Sequence, residues 1–331
     1  MLFRSVSQSR YLDEKKKLCK ELGADVVVDA NVEDMNAALR AANGGKSVDL
    51  VLEMVGGKTF DQSLEALAMF GRIVIYGMEV VGKLPNGQRV LALAAGGGYC
   101  QKTLVNPKQV IPLPDQVSDG AAPAMMVQGI TAYHILKTVG HFKAGESVVV
   151  HAGAGGVGSL AIQLAKLWGG FVIAVTSSEE KKKLCKELGA DVVVDANVED
   201  MNAALRTANG GKSVDLVLEM VGGKTFDQSL EALAMFGRIV IYGMASRTMP
   251  APVHPATLMG KSKSIAGFWL VNCLGKKEMM QDVFVELFGL IIAGKLKPVV
   301  GATYPLSRAV EAHQAMLARK TVGKIVLNPA E

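Results

Sequence analysis

The amino-acid sequence predicts an α/β protein organised around a doubly wound parallel sheet. Short β-branched runs alternate with helix-spaced apolar segments from residue 147 to residue 242, and this alternation is typical of parallel strands joined by helices. The first of these runs also ends in a glycine-rich turn that leads directly into a helical pattern. Such sheets bind ligands at the carboxyl ends of their strands, so this turn marks the end of the sheet where a site is expected.

The glycine-rich turn has the spacing of a dinucleotide fingerprint. It lies between the apolar run at residues 147–151 and the helix-like residues 160–167. Within it, Gly153, Gly155 and Gly158 fit the pattern G-x-G-x-x-G. The first glycine permits a tight turn, the second lets the backbone approach a pyrophosphate, and the third lets the helix pack on the strand. An ordinary glycine-rich turn is the alternative, but the flanking strand and helix favour a nucleotide site.

The next strand indicates which nicotinamide cofactor is preferred. The run at residues 171–175 ends in Thr-Ser-Ser, whereas an NAD site usually has Asp or Glu there to accept from the ribose hydroxyls. The Ser177 hydroxyl and the Lys181 ammonium group suit a 2′-phosphate, which an acidic residue would repel. We therefore predict NADPH. In the alternative interpretation, Ser178 caps the next helix and the lysines form its solvated face.

The remaining elements follow in alternating order. We predict helices at residues 181–188, 198–208 and 225–235, and strands at residues 192–194, 214–221 and 238–242. Met220 and Gly243 lie at the carboxyl ends of two of these strands, so we expect them to wall the nicotinamide side of the site. Core packing would explain Met220 equally well.

A long block of this sequence occurs twice. Residues 14–78 and 180–244 are identical except that Ala41 corresponds to Thr207. Old duplications diverge because surface positions change at little cost. The block therefore reflects either a very recent duplication or an error in how the sequence was assembled, and we favour the error. The first copy lacks the strand and glycine-rich turn that precede the second, so it cannot hold a dinucleotide by itself.

Motifs spread over residues 81–329 resemble those of one enzyme family. They are GQRV at residues 87–90, QGITAY at residues 128–133, the glycine-rich turn at residues 152–158, GFWL at residues 267–270 and TVGK at residues 321–324. Together they resemble a medium-chain dehydrogenase/reductase of the zinc-free quinone oxidoreductase (zeta-crystallin-like) branch. The resemblance implies a homodimer that transfers a hydride from NADPH to a quinone or another conjugated carbonyl. The four scattered cysteines, without a C-x-x-C pair, indicate a reduced cytoplasmic protein.

The resemblance also implies a domain arrangement. Residues 123–267 would form an NADPH-binding Rossmann domain, and residues 79–122 and 268–331 would belong to a GroES-like β-barrel catalytic domain. Family members begin with the first half of this barrel, but residues 1–78, which hold the first copy, stand in its place.

The resemblance also implies roles for particular residues. Thr131 would lie against the nicotinamide, and Phe268 and Leu270 would offer backbone groups to its carboxamide. The family's usual tyrosine beside the adenine corresponds to Ala196, so that contact is missing. The residues expected at the pyrophosphate, at the 2′-phosphate or along the edge of the cleft are Gly155, Gly156, Val157, Ser177, Lys181, Arg319 and Lys324.

Two alternative functions remain open at the level of the sequence. An enoyl-thioester or 2-alkenal reductase would also fit, since the motif at residues 267–270 resembles that branch too. The other alternative is a protein that binds NADPH without turnover, because residues 1–78 displace the substrate half of the barrel.

Composition argues against several other classes of protein. The four cysteines include no C-x-x-C pair, and no histidine has a ligand-spaced partner, so we expect no metal site. His151 is expected to pack at its strand end rather than act as a general acid. The net charge of +5 is diffuse and aromatic residues are only 5%, which disfavours nucleic acid as the main partner. No apolar stretch reaches the about 18 residues of a membrane span, and the start lacks a signal-peptide pattern.

Overall fold

The structure, a computed structural model, divides into two compact units. It describes residues 3–6, 17, 20–21, 24, 26–29, 34–46, 48–53, 67–75, 79–84, 87–93, 99, 105 and 110–329. We call Met1–Met78 with Ala94–Val105 the N-terminal unit, and Glu79–Leu93 with Asn106–Glu331 the main unit. Within the described ranges, no helix is long and apolar enough to cross a membrane.

The N-terminal unit contains pairs of parallel strands. Strand β1 (Phe3–Val6) pairs with β2 (Val26–Asp29), and β3 (Val48–Glu53) pairs with β4 (Leu67–Ile75). Helix α1 (Met35–Ala42) lies between β2 and β3 along the chain. Adjacent strands of a barrel built from hairpins would pair antiparallel, so the described part of residues 1–78 does not trace the missing half of a barrel. Strand β1 was not predicted from the sequence.

The main unit begins with a small antiparallel sheet. Strands β5 (Glu79–Lys83), β6 (Arg89–Leu93) and β7 (Ile111–Pro112) pair in sequence order. The Arg89 guanidinium donates to the carbonyl of Val117 at 2.8 Å. This bond fixes the loop that leads into the helices beyond.

A helical segment with a widened turn follows this loop. Helix α2 (Ala122–Ala124) continues through the π-helical turn Met125–Gly129 into α3 (Ile130–Leu136). A Cβ atom on Gly129 would lie 3.2 Å from a methyl carbon of Leu287, so glycine permits close packing between helices here. Single π-helical turns occur often at functional sites.

A six-stranded parallel sheet forms the centre of the main unit. Its strands are β8 (Ser147–His151), β9 (Phe171–Thr176), β10 (Val192–Asp195), β11 (Val214–Glu219), β12 (Leu233–Ile241) and β13 (Ser264–Gly267). The order across the sheet is β10-β9-β8-β11-β12-β13. This order reverses between β8 and β11, and doubly wound sheets bind ligands at such a reversal. The predicted α/β class with a doubly wound parallel sheet is confirmed.

Helices join successive strands of this sheet, and the chain after β13 adds two further helices and a parallel strand pair. The helices are α4 (Gly156–Leu167), α5 (Glu179–Glu187), α6 (Met201–Ala208), α7 (Gly223–Ala232), α8 (Pro255–Met259), α9 (Lys277–Ile292) and α10 (Ala309–Leu317). Two 3₁₀ turns span Leu270–Cys273 and Leu306–Arg308. Strands β14 (Val300–Pro305) and β15 (Lys324–Asn328) pair in parallel.

The central strands are buried on both faces, as parallel strands between helices must be. All five residues of β8 are buried. Its polar first residue is fully satisfied, because the Ser147 N–H and hydroxyl both donate to one Asp215 carboxylate oxygen, at 2.8 and 2.7 Å. This contact joins β8 to β11 at the amino ends of the strands, opposite the end where a ligand is expected.

The structure corrects the predicted bounds of two helices. The helix predicted at residues 198–208 begins only at Met201, because the Asp200 side chain caps it by accepting from the Ala203 N–H at 2.9 Å. The helix predicted at residues 225–235 ends at Ala232.

The structure also corrects two strands. The strand predicted at residues 238–242 begins earlier, at Leu233, and ends at Ile241; Phe236 within it has a φ of 61°, which a helix does not allow. The strand predicted at residues 214–221 ends at Glu219.

The two copies of the repeated block form the same local structure. Asp34 caps α1 through the Ala37 N–H at 2.9 Å, as Asp200 caps α6. The strand registers also coincide: Val48 pairs with Leu67 and Leu50 with Arg72 in one copy, and Val214 with Leu233 and Leu216 with Arg238 in the other. Local sequence therefore determines these elements in both places.

Candidate functional site

The glycine-rich turn folds tightly against the ends of β8 and β9. The Gly153 N–H donates to the carbonyl of Val175 at 3.0 Å, and the Gly155 N–H donates to that of Ala152 at 2.8 Å. A Cβ atom on Gly158 would lie 2.4 Å from the Ala152 oxygen and 2.8 Å from the Cα of Gly153. Only glycine at this position lets α4 approach the turn so closely.

The start of α4 presents unpaired N–H groups. The helix begins at Gly156 after an extended Gly155, without a side-chain cap and without an acidic residue in its first turn. The first N–H groups of a helix have no acceptor within it, and the helix dipole places partial positive charge there. The N–H groups of Gly156, Val157 and Gly158 therefore form an anion-binding end of the kind that holds a pyrophosphate.

The C-terminal segment lies over this turn. The Gly323 N–H donates to the carbonyl of Ala154 at 2.9 Å, and Gly323 also forms a parallel bridge with Gly155. Lys324 follows directly, and its N–H donates to the carbonyl of Val299 at 2.8 Å. The chain thus brings Lys324 next to the glycine-rich turn.

Gln128 also reaches the turn. A Cβ atom on Gly156 would lie 2.8 Å from the Gln128 Cγ. The Gln128 Oε1 is buried and has no hydrogen-bond partner among the described residues. A bound hydroxyl or amide group could donate to this oxygen. Gln128 belongs to the QGITAY motif, but its position at the turn was not predicted from the sequence.

The end of β9 carries the predicted 2′-phosphate residues. Ser177 is exposed there, while the Ser178 hydroxyl caps α5 by accepting from the Lys181 N–H at 3.4 Å. Ser178 is thus a helix cap, as the alternative interpretation expected. The Lys181 ammonium group donates to the carbonyl of Arg319 at 2.7 Å, so the structure brings together two cationic residues that are distant in sequence.

The turn after β11 packs against the chain after β12. The N–H groups of Ala245 and Ser246 donate to the carbonyls of Met220 and Val221, at 2.8 and 2.9 Å. A Cβ atom on Gly243 would lie 3.2 Å from the Cβ of Met220. Met220 and Gly243 therefore lie together at the carboxyl edge of the sheet, and both are half-buried.

Thr131 lies near an aromatic contact that joins α3 to the end of β13. Thr131 is 6% exposed. One turn further along α3, the His134 ring stacks on Phe268 with centroids 5.7 Å apart. The Phe268 N–H donates to the carbonyl of Ile241 at 2.8 Å, so the group left for a carboxamide is the Phe268 carbonyl. Leu270 begins the 3₁₀ turn that follows.

The hydrogen bonds of His134 fix its tautomer. Its Nε2 lies 2.8 Å from the carbonyl oxygen of Met279, which can only accept, so Nε2 carries the proton. Its Nδ1 accepts from the Thr138 hydroxyl at 2.7 Å. Burial lowers the pKa of His134, with the bond to Met279 opposing, so the ring is neutral near pH 7 and structural.

Comparison with known proteins identifies the family. The family model described as zinc-binding dehydrogenase matches residues 6–96 and 156–288, which include the whole of both copies of the repeat. A quinone oxidoreductase of Pseudomonas aeruginosa is 32% identical over 78% of this chain and 80% of its own length. The 2-haloacrylate reductase of a Burkholderia species is 31% identical over 73% of this chain and 74% of its own length. A mycobacterial protein solved in complex with NADPH superposes with a TM-score of 0.72 at 34% identity, covering 86% of this chain and 92% of that one.

The chain belongs to the zinc-binding dehydrogenase family. Its relatives place it in the quinone oxidoreductase branch of that family.

The zinc of the family's name has no matching ligand set in the described residues. These contain no group of three or more His, Cys, Asp or Glu side chains that could hold a metal ion. Cys185 and Cys273, the cysteines described, are both buried and free. Burial raises the pKa of the Cys185 thiol to about 11, so it remains protonated, whereas zinc binds the thiolate. No chemistry is assigned to zinc in this member of the zinc-binding dehydrogenase family.

A buried carboxylate in this zinc-binding dehydrogenase was not predicted from the sequence. Glu219, the last residue of β11, is 0% exposed. His151, the last residue of β8, is 1% exposed, which agrees with the packed position predicted for it. The sequence did carry a signal for the carboxylate, because Glu219 ends a continuous apolar strand. Acidic residues are rarely buried without partners, so an acid in that position indicates a specific set of contacts.

Proposed function

We propose that this chain transfers a hydride from NADPH to a quinone or another conjugated carbonyl. The observation that carries the proposal is the anion-binding start of α4, combined with Lys181 at the end of β9. The two positions suit the pyrophosphate and the 2′-phosphate of one dinucleotide. The quinone oxidoreductase and 2-haloacrylate reductase relatives support a conjugated, electron-poor acceptor.

In this proposal the cofactor runs along the carboxyl edge of the sheet. The N–H groups of Gly156 and Val157 bind the pyrophosphate, and Gly153, Gly155 and Gly158 provide its close approach. The residues assigned to the remainder of the cofactor are Ser177 and Lys181 at the 2′-phosphate, Met220, Gly243 and Thr131 along the nicotinamide, Phe268 and Leu270 at the carboxamide, and Lys324 at the edge of the cleft.

The reaction requires little acid–base chemistry from the protein. Bound NADPH supplies the hydride, which adds to the acceptor, and a proton from solvent completes a hydroquinone or a saturated carbonyl product. The chain binds and orients the reactants. The close contact of Met220 with Gly243 narrows the part of the cleft that holds the nicotinamide. Orientation alone accounts for a large part of the rate in such transfers.

The test begins with NADPH binding, followed by consumption of NADPH in the presence of three acceptors. These are a quinone, an enone and an enoyl thioester, offered to the purified full chain. We expect binding and fastest turnover with the quinone or enone. Fastest turnover with the enoyl thioester would establish the alternative reductase, and failure to bind NADPH would refute the proposal.

Preference for NADPH over NADH depends on Lys181 in this proposal. A hydrogen bond to a charged group contributes about 1.5–3 kcal/mol, so Lys181→Met should raise the KM for NADPH by about 10- to 100-fold and leave the KM for NADH unchanged. Lys15 is the counterpart in the first copy, and Lys15→Met is the matched control. Equal effects of Lys181→Met on both cofactors would remove the assignment.

A protein that binds NADPH without turnover is the second candidate. Parallel pairing of β1 with β2 and of β3 with β4 favours it, because β2, β3 and β4 repeat the sequence of cofactor-domain strands and a barrel built from hairpins would pair its strands antiparallel. Normal NADPH binding without turnover of any of the three acceptors would establish this candidate.

We further propose the domain arrangement and the dimer that the resemblance implies, and a cytoplasmic location. Residues 123–267 bind NADPH, and residues 79–122 and 268–331 form the catalytic domain.

The outer edge of β13 has no neighbour in the described sheet, and Trp269 and Val271 beside it are 64% and 55% exposed, which supports a homodimer. Sedimentation of wild type and Val271→Asp tests this. The free thiols of Cys185 and Cys273 support a cytoplasmic location, which cell fractionation tests.

A further inference from the structure

A fully buried carboxylate lies at the point where the strand order of the sheet reverses. Glu219 ends β11 and His151 ends the neighbouring strand β8. Both side chains are at least 99% buried, and both lie at the carboxyl edge of the sheet. A carboxylate in such a place is strongly destabilised unless its oxygens are hydrogen-bonded, so its contacts show what it holds.

One oxygen of Glu219 holds the turn that follows it. Its Oε1 accepts from the N–H of Val221 at 2.5 Å and from the N–H of Gly222 at 3.0 Å. Gly222 and Gly223 have φ angles of 81° and 53°, which residues other than glycine rarely adopt. The carboxylate therefore stabilises a backbone conformation that local sequence alone would favour weakly.

The other oxygen of Glu219 faces the histidine. Its Oε2 lies 3.7 Å from the Nε2 of His151 and has no hydrogen-bond partner among the described residues. The same Nε2 lies 2.9 Å from the hydroxyl of Ser229 in α7. Burial lowers the pKa of His151, and Glu219 opposes this only in part. The carboxylate thus lies among polar side chains that include Tyr242, whose pKa is raised by burial and further by Glu219.

The turn held by Glu219 is the one assigned to the nicotinamide side. It is fixed from its other side by the bonds of Ala245 and Ser246 to the carbonyls of Met220 and Val221. A Cβ atom on Gly222 would lie 2.8 Å from the Cγ of Met244, so glycine at this position lets the turn pack closely against that chain. Its shape therefore depends on the Glu219 carboxylate beneath it.

We infer that Glu219 is a positioning residue for hydride transfer: through the N–H groups of Val221 and Gly222 it sets the Met220–Gly223 turn against which the nicotinamide lies. The inference rests on the proposed function. Glu219 touches neither the substrate nor the reacting atoms. Its removal should misplace the nicotinamide and leave the phosphate-binding turn intact, so kcat should fall while affinity for the phosphates is retained.

The test uses Glu219→Gln, which keeps the size of the side chain and replaces charged hydrogen-bond acceptors with weaker neutral ones. We expect kcat with a quinone to fall by about 10- to 100-fold, the loss typical of a small misplacement of reactants. Binding of 2′,5′-ADP, which lacks the nicotinamide, should remain within about twofold. Glu219→Asp keeps the charge and should recover part of the lost kcat.

The repeat supplies a matched control. Glu53 has the same sequence neighbours in β3 of the N-terminal unit, and Glu53→Gln should leave kcat unchanged. If wild type turns over and Glu219→Gln matches it, or if 2′,5′-ADP binding falls as much as kcat, the inference is overturned while the proposed function stands. A wild type that binds no NADPH refutes the proposed function and this inference with it.

Discussion

Substituting the same leucine in both copies of the repeat tests whether the two units have separate cores. Leu205 in α6 is 0% exposed and belongs to a buried cluster that includes Val217 and Phe226. Its counterpart in α1 of the N-terminal unit, Leu39, is 8% exposed. The two substitutions are chemically identical and differ only in the unit they affect.

The expected loss for Leu205→Ala follows from its burial. The substitution removes three carbon groups at about 0.8 kcal/mol each, and the cavity left behind brings the loss in free energy of unfolding to about 3 kcal/mol. For a unit of this size, with an m-value of about 3 kcal/mol per molar urea, the midpoint should fall by about 1 M.

Tryptophan fluorescence during urea unfolding separates the two units. The chain has two tryptophans, Trp168 and Trp269, and both belong to the main unit. Leu205→Ala should therefore shift the fluorescence midpoint, whereas Leu39→Ala should leave it in place. Far-ultraviolet circular dichroism, which reports both units, should change with either substitution.

Two results would refute this reasoning. An equal shift of the fluorescence midpoint for Leu39→Ala would show that the main unit depends on the N-terminal copy for its stability. An unchanged midpoint for Leu205→Ala would show that α6 does not pack into the core of the main unit.

The remaining predictions concern two glycines, one histidine and the repeat itself. Gly158→Ala should cost about 1–3 kcal/mol and abolish NADPH binding, since its Cβ would lie 2.4 Å from a backbone oxygen; unaltered calorimetric binding would contradict this. Gly289→Ala, in open space within α9, should instead raise stability by about 0.5–1 kcal/mol in urea unfolding. Because the pKa of His134 is lowered, the unfolded chain takes up a proton that the folded chain does not. Stability should therefore fall below pH about 6.5, and less so in His134→Gln. Tryptic peptides decide between the two origins of the repeat: a recent duplication should release AANGGK (residues 41–46) and TANGGK (residues 207–212) in equal amounts, whereas an error in how the sequence was assembled, the origin we favour, should leave only the second.

The sheet could be predicted from sequence because its signals are local. Strand β8, the glycine-rich turn and α4 are adjacent along the chain, and each carries its own apolar pattern. The bounds were less accurate where one side chain overrides the pattern. Asp200 caps α6, so this helix begins only at Met201. The left-handed backbone of Phe236 prevents the helix that ends at Ala232 from continuing.

The site could be predicted only in part because its remaining contacts are long-range. Nothing in the local pattern shows that Lys181 meets the carbonyl of Arg319 or that Gln128 reaches Gly156. The role of Glu219 is also hidden, because its partners in β8 and α7 come together only when the sheet forms.

The repeated block gives a folding chain two equivalent candidates for one place in the sheet. Strand β3 has the sequence of β11, and it leaves the ribosome before β8, whereas β11 leaves after it. The order of synthesis therefore offers β8 the wrong partner first, and a chain that accepts it must unpair before β11 can take its position. Refolding from denaturant removes that order, so the two strands then compete on equal terms for the same neighbour.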